Sequence, residues 1–390
     1  NQKQAATLAK ELVRNTSNDE EAITAIRDYV LRRIRFAGPS FASLPANDSV
    51  TPADTTLHDG YGHSADRSIL LATMLCAAGF DAEPILVNLN RQRPTDLYNN
   101  LRKFESPTAY SQVLVRINNR PGLLRRLFSS KRPLPLYLGD GDQYTILGTT
   151  GLDDHPCLDL NGKYSRIEVA PQFKDRNRTD WHIALDSHGT AAITVTNWYY
   201  GSSCGVFRKK YAEMPPEERR RHHLELVSGV SRSAEATSDL ITAIHTYPGY
   251  STFSIRAPRY AVGDADSLTL LLPGTTSYAI PLRDDRRTNP LHLTGQTDLH
   301  WSCTVELPPT HTATPVIPPP LNLTIPGNGG QYQAITRREQ SANGTTILHF
   351  DRTLTTTPLL LAPEQYPTLI EINRRINNPA QRTVVISGHQ

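Results

Sequence analysis

Cysteine is scarce in this chain. Its 390 residues contain Cys76, Cys157, Cys204 and Cys303, with no CxxC pair among them. A zinc or dithiol redox site of the usual spacing is therefore not expected, and neither is a cofactor. One bridge between strands, Cys204 to Cys303, is compatible with the spacing without being required by it. Long apolar runs are absent too. No stretch reaches the roughly eighteen residues that a membrane-spanning helix needs. Charge of one sign is not in excess: the formal net charge is +3. Nucleic-acid binding usually needs a clustered basic surface. The densest basic runs are Arg219 to Arg221, and Arg125–Arg126 with Lys131–Arg132. They read as a solvated helix face and a charged loop. The chain opens on polar Asn1-Gln2-Lys3-Gln4 and lacks the n-region and h-region of a secretory signal. Either a cytosolic protein or the mature part of an exported one fits that opening. No repeat of fixed period is present.

What is there is ordinary globular composition, 38% hydrophobic and 20% charged, in a chain long enough for two or three domains. Residues 1 to about 90 read as helical with one strand at the end. Ser17 and Glu20 form a capping box, followed by Ile23, Ile26, Val30 and Ile34 at helical spacing, and Gly38-Pro39 stops that helix. Residues 41 to 60 read as polar and turn-rich. Gly60-Tyr61-Gly62 is a tight turn into a helix that is apolar on most of its surface, through Ile69, Leu70, Leu71, Met74 and Leu75. Gly79 ends it, and Ala82 to Leu89 reads as a buried strand. After a loop of about twenty residues to Thr108, the alternation at Val113, Val115 and Ile117 predicts a second strand, and Tyr144 to Leu147 a third.

From about residue 165 short alternating stretches take over, with the spacing of an all-β sandwich. They are Trp181 to Leu185, Ala191 to Trp198, Ser267 to Leu272, His300 to Leu307 and Thr345 to Phe350. Asp186-Ser187-His188-Gly189 and Asn343-Gly344 are among the turns between them. One helix over about 215–230 interrupts this region, opened by Pro215-Pro216-Glu217-Glu218. A second is predicted over Tyr366 to Ile376, and Pro308 to Pro320 reads as an extended connector. The expected fold class is α+β: helices packed on an antiparallel sheet over 1–165, then a β-sandwich-like domain over 166–310 and a β-rich segment over 311–390.

The stretch from Thr51 to Ala82 resembles the nucleophile segment of bacterial transglutaminase-like proteins of the papain-like superfamily. Their pattern is a Gly-x-Gly-Asp-Cys-Lys-Asp turn, an apolar helix, a Gly and a strand, and the order of elements is kept here. Upstream, the helices from Ala5 to Phe36 look like those preceding the family core. Arg287 with Leu291, and Pro363-Glu364-Gln365-Tyr366-Pro367, look like the C-terminal region of the multidomain branch. That branch usually carries a further β domain in front. The resemblance implies a bacterial, exported protein, periplasmic or at the cell surface. It also implies a Cys–His–Asp triad, in which a helix N-terminus and an imidazole favour a thiolate and an acid orients the imidazole.

In this sequence the nucleophile position is Ser64 and the residue before it is His63. The histidine position falls at Tyr110-Ser111-Gln112-Val113, with Gln112 its occupant. The acid position falls at Gly148, and the family's scaffold acid persists as Asp66. The resemblance thus implies a transglutaminase-like fold without its triad, a pseudoenzyme. Its cleft would be lined by Tyr61, His63, Ser64, Asp66, Tyr110 and Gln112 and would hold a polypeptide or glycan. The alternative is a residual or altered peptidase using Ser64 or Cys157.

Single residues admit plainer readings. Ser64 is either a nucleophile helped by His63 or a helix N-cap, and the cap is favoured because adjacent side chains diverge. His63 with His58 and Asp59 makes an incomplete metal set on a loop. Cys76 reads as a small core residue. Cys157, two residues from His155, is a displaced-nucleophile candidate that triad geometry disfavours. Asp153 and Asp154 read as turn acids. Trp181, Trp198 and Trp301 fall in predicted strands, where core packing is favoured over a carbohydrate platform.

Overall fold

The computed structural model describes every residue except 1, 46–48, 90–108, 119–133, 140, 142, 264–266, 275–279, 283, 294, 309–313, 343 and 388–390. It divides into two compact units, the first over Asn1–Lys174 with Cys204–Val206, the second over Asp175–Ser203 and Phe207–Gln390.

In the first unit, α1 (Lys3–Val13) and α2 (Asp19–Arg33) precede a short strand β1 (Arg35–Phe36). The N-cap of α2 lies one residue later than Ser17 and Glu20 suggest. Asn18 is the N-cap, its side chain accepting from the Glu21 amide, and Glu21 reaches back to the Ser17 amide at 2.8 Å. Asn is at least as good a cap as Ser. Ile23, Ile26, Val30 and Ile34 are all buried, as one apolar stripe should be. The helix ends at Arg33, ahead of Gly38-Pro39, because Ile34 turns extended to enter β1.

The turn-rich reading of 41 to 60 misses a helix, α3 (Ala53–Asp59). Pro52 precedes it, and Gly60 closes it in the left-handed region at φ 72°. Tyr61–Gly62 is then not a free turn but a strand, β2, parallel to β1. Next comes α4 (Ser64–Ala77), with nine of its residues buried. It packs among α1, α2 and α3, which is why it is apolar nearly all round. Gly79 follows it at φ 94°.

The sheet of this unit is fully antiparallel, in the order β5-β4-β3-β6-β7. Its strands are β3 (Asp81–Val87), β4 (Gln112–Asn118), β5 (Leu136–Leu138), β6 (Pro156–Leu158) and β7 (Tyr164–Arg166). Val115 and Ile117 pack with α4 on one face, while Leu114 packs with Tyr137 and Cys157 on the other. The third strand predicted at Tyr144 to Leu147 is not a strand. That segment turns, with the Thr149 amide on the Ile146 carbonyl at 3.1 Å, and the strand beside β4 is β5. The twenty-residue loop lies outside the described residues.

The second unit is built on a nine-stranded sheet. Its spatial order is Glu235–Ala236, Gly249–Ala257, Ala191–Tyr199, Asn177–Leu185, Thr297–Glu306, Thr346–Thr356, Gly330–Gln340 and Leu321–Ile325, with Ile241–Ala243 also on the second of these. Residues 253, 255, 303, 305, 348 and 350 alternate inward to one large core. The sheet draws strands from both sides of residue 310. Ser267–Leu271 pairs with Val262–Gly263 and Thr383–Ser387 in a separate small sheet. Two helices, not one, follow Tyr199: Ser202–Glu213 and Pro216–Val230. Tyr366–Ile376 is a helix with Tyr366, Leu369, Ile372 and Ile376 buried. The extended connector lies partly outside the described residues. No helix among the described residues is long and apolar enough to cross a membrane.

Candidate functional site

The site is assembled by the start of α4 and the start of β4. Gly62 permits the approach. A Cβ there would sit 2.8 Å from the Asp66 Cβ, closer than side chains tolerate. His63, not Ser64, is the N-cap. Its Nδ1 accepts from the Asp66 amide at 3.3 Å, and Asp66 Oδ2 accepts from the His63 amide at 3.2 Å, a capping box closed by an imidazole. Asp66 Oδ1 also accepts from the Thr51 amide at 2.6 Å. Ser64 is therefore the first residue inside the helix, where the backbone dipoles favour negative charge.

One turn further, Ser68 Oγ donates to the Val113 carbonyl at 3.3 Å. Residues four apart share a helix face, so this bond lays the Ser64 face against the first residues of β4. There the Gln112 amide donates to Ser64 Oγ at 3.5 Å and to the Val113 carbonyl at 3.4 Å. Ser64 and Gln112 are half-buried, Tyr110 is buried just ahead of β4, and Tyr61 is 56% exposed.

The imidazole of His63 is buried. With Nδ1 accepting from the Asp66 amide, its proton sits on Nε2, which lies 3.5 Å from Asp66 Oδ2. Nδ1 therefore belongs to the cap, and the ring lies tilted against Phe41. A carboxamide has no lone pair basic enough to take a hydroxyl proton at neutral pH. Serine, with a pKa far above neutrality, needs such a base more than cysteine does. This pair can hydrogen-bond a ligand, and neither of its two side chains is itself a base.

Gly148 has φ 91°, and a Cβ there would meet the Phe173 ring at 2.8 Å. Since β5 is the neighbour of β4, the position at the end of that strand is Gly139, followed in the sequence by Asp140, which lies outside the described residues. Strand propensity at Tyr144 to Leu147 conceals this, and Leu136-Tyr137-Leu138 is the short signal that reveals it.

The other candidates lie apart from this pair. His58 is exposed and pairs with Asp59 at 3.0 Å. No group of three His, Cys, Asp or Glu side chains able to hold a metal occurs among the described residues. Cys157 is fully buried in the sheet core, its thiol 3.1 Å from Ser165 Oγ. Burial pushes that thiol up, against the opposing effects of the Ser165 hydrogen bond and the Arg116 charge. His155 Nδ1 faces the Asp153 carbonyl at 3.2 Å. Cys76 is exposed, contrary to its core reading, because α4 ends there and its thiol donates to the Ala82 carbonyl at 3.0 Å. None of the four cysteines forms a disulfide, so the Cys204–Cys303 bridge does not exist; both residues are buried thiols. In native protein at pH 8, iodoacetamide is expected to modify Cys76 and leave Cys157 untouched, by peptide mass spectrometry. Alkylation of Cys157 first would contradict its burial.

Residues 6–119 match the model of the transglutaminase-like superfamily. The fold is similar to the crystal structure of a "putative protease" from Parabacteroides distasonis, with a TM-score of 0.50 at 15% identity, over 99% of this chain and 55% of that one. This chain thus spans about half the length of that neighbour. No curated protein matches the sequence. The segment over residues 6–119 is thus similar to the transglutaminase-like superfamily, and it lies in an α+β unit that a β-rich C-terminal region follows.

Proposed function

We propose that the transglutaminase-like unit is catalytically inactive and serves as a binding or scaffold module. The observation that carries this reading is the Gln112 carboxamide 3.5 Å from Ser64 Oγ, where the family's chemistry needs an imidazole beside a thiolate. The neighbouring His63 supports it, because its Nδ1 is taken up by the cap. The buried, protonated Cys157 speaks against a displaced nucleophile. Exposed Tyr61, three residues before Ser64 in the chain, would add an aromatic face to the two hydrogen-bonding groups of half-buried Ser64 and Gln112 for a polypeptide or glycan.

The test compares wild type with Ser64→Ala for amide hydrolysis and for amine incorporation into glutamine-containing peptides. Equal and negligible rates are expected; turnover abolished by Ser64→Ala would sink the proposal. Binding to immobilised polypeptide and to polysaccharide separates the two ligand classes. Tyr61→Ala is expected to weaken whichever binds, and an unchanged affinity would remove Tyr61 from the cleft. Placement in the bacterial envelope is part of the same proposal and rests on family resemblance; recovery of the full-length protein in the cytosolic fraction would refute it.

A further inference from the structure

The second unit contains a cavity of about 810 Å³. A partly open pocket of this size falls within the roughly 300–1,000 Å³ range of small-molecule sites. Trp181, Val195 and Phe253 wall it from the large sheet. Leu226 and Val230 wall it from the helix Pro216–Val230, and Thr269 and Leu271 from the small sheet. Val262 and Leu271 at its border are 69% and 57% exposed, apolar surface left facing solvent.

Two features distinguish it from a packing defect. Gly229 lies in the last turn of the helix and lines the cavity, and a Cβ built there meets nothing within 4 Å. Glycine is among the poorest helix formers, and no close contact requires it here. Gly229 is itself exposed, and the space beside it at the pocket's lining is open. The second feature is an indole. Trp181 and Trp301 both lie against Gly274. Trp301 Nε1 donates to the Pro273 carbonyl at 3.1 Å, whereas Trp181 Nε1 is buried with no acceptor among the described residues. A buried donor left unpaired is costly, and an incoming oxygen would relieve it. The charged lining groups, Glu225 and Arg259, are one of each sign, so the lining favours neither anion nor cation.

We propose that this cavity binds a neutral, largely apolar small molecule carrying a carbonyl-type oxygen. The ring or chain packs between Trp181 and the helix, and the oxygen accepts from Trp181 Nε1 at the Gly274 end. This site is independent of the Ser64 region and of any reading of it.

The test uses the full chain and prodan, a neutral naphthyl ketone whose emission reports both polarity and hydrogen bonding at its carbonyl. Wild type is expected to bind it one to one with a blue-shifted, enhanced emission. Gly229→Leu fills the cavity from a helical position with room for it. It is expected to weaken binding about tenfold or more, with no loss of thermal stability. Trp181→Phe keeps an apolar ring and removes the donor. It is expected to weaken binding roughly 2- to 10-fold and to move the bound emission further to the blue. Absence of prodan binding to wild type, or equal binding by Gly229→Leu, overturns the proposal. If Gly229→Leu does not fold, an unchanged affinity and emission in Trp181→Phe overturns the role given to the indole.

Discussion

Ser64→Cys combined with Gln112→His is expected to create a reactive thiol where the wild-type protein has none. Position 64 is the first residue of α4, so a thiolate there meets the positive end of the helix. Position 112 already places a side-chain nitrogen 3.5 Å from the residue 64 hydroxyl, within reach of an imidazole built on the same backbone. The size of the effect follows from the thiolate fraction. An imidazolium that lowers a thiol from about 8.5 to about 6.5 raises its thiolate at pH 6 from about 0.3% to about 24%, a gain of roughly 75-fold. The weaker nucleophile gives back about 8-fold of that at a Brønsted coefficient near 0.45. Iodoacetamide should therefore alkylate position 64 about tenfold faster at pH 6 in the double variant than in Ser64→Cys alone. Equal rates would mean that residue 112 does not occupy the base position.

The second large effect is structural. Asp66→Ala removes the acceptor for two amides, Thr51 and His63, and opens the cap of α4. Asp66 is only 5% exposed, so water does not replace it readily. Two poorly solvated N–H groups and a lost cap together amount to about 3 kcal/mol. For a unit of this size that is a fall of roughly 6–12 °C in Tm for the N-terminal transition. Asp66→Asn keeps one carbonyl oxygen and should lose about half as much. The measurement is a circular dichroism or calorimetric melt, with the two units allowed separate transitions. An Asp66→Ala protein that melts with the wild type would show that the carboxylate does not hold this turn.

The same residue explains what a sequence can and cannot reveal here. Gly62, Asp66, the apolar run to Leu75 and Gly79 are legible together. The apolar run and Gly79 answer strict local demands, burial on nearly all sides of α4 and a left-handed turn, whereas Asp66 is legible only as a family position and Gly62 only as part of a turn. The identity of the cap was not legible. Ser64 is the better cap by type, yet His63 takes the role because its imidazole reaches the Asp66 amide. Short elements escaped for lack of signal. The seven residues of α3 and the three of β5 are too few to show a period, and their pairing is decided by tertiary contacts. Tyr144 to Leu147 misled because strand-forming residues there turn instead, while the Thr145 carbonyl takes a hydrogen bond from the buried Arg27 at 2.8 Å. The helix Ser202–Glu213 was hidden by its polar composition and its start at Gly201, which has φ 60°. The pairing of Ser64 with Gln112 was legible because both lie at fixed points of a motif: the start of the buried helix and the start of a strand two elements later.

The central claim is that Ser64 is not activated, and one measurement bears on it most directly. Native protein is incubated at neutral pH with an alkyl fluorophosphonate, which phosphonylates activated serines, and the intact mass and tryptic peptides are read. No adduct on Ser64 is predicted, with wild type and Ser64→Ala giving the same spectrum. A stoichiometric adduct on Ser64, lost on denaturation or in His63→Ala, would contradict the account and return a serine enzyme to this fold.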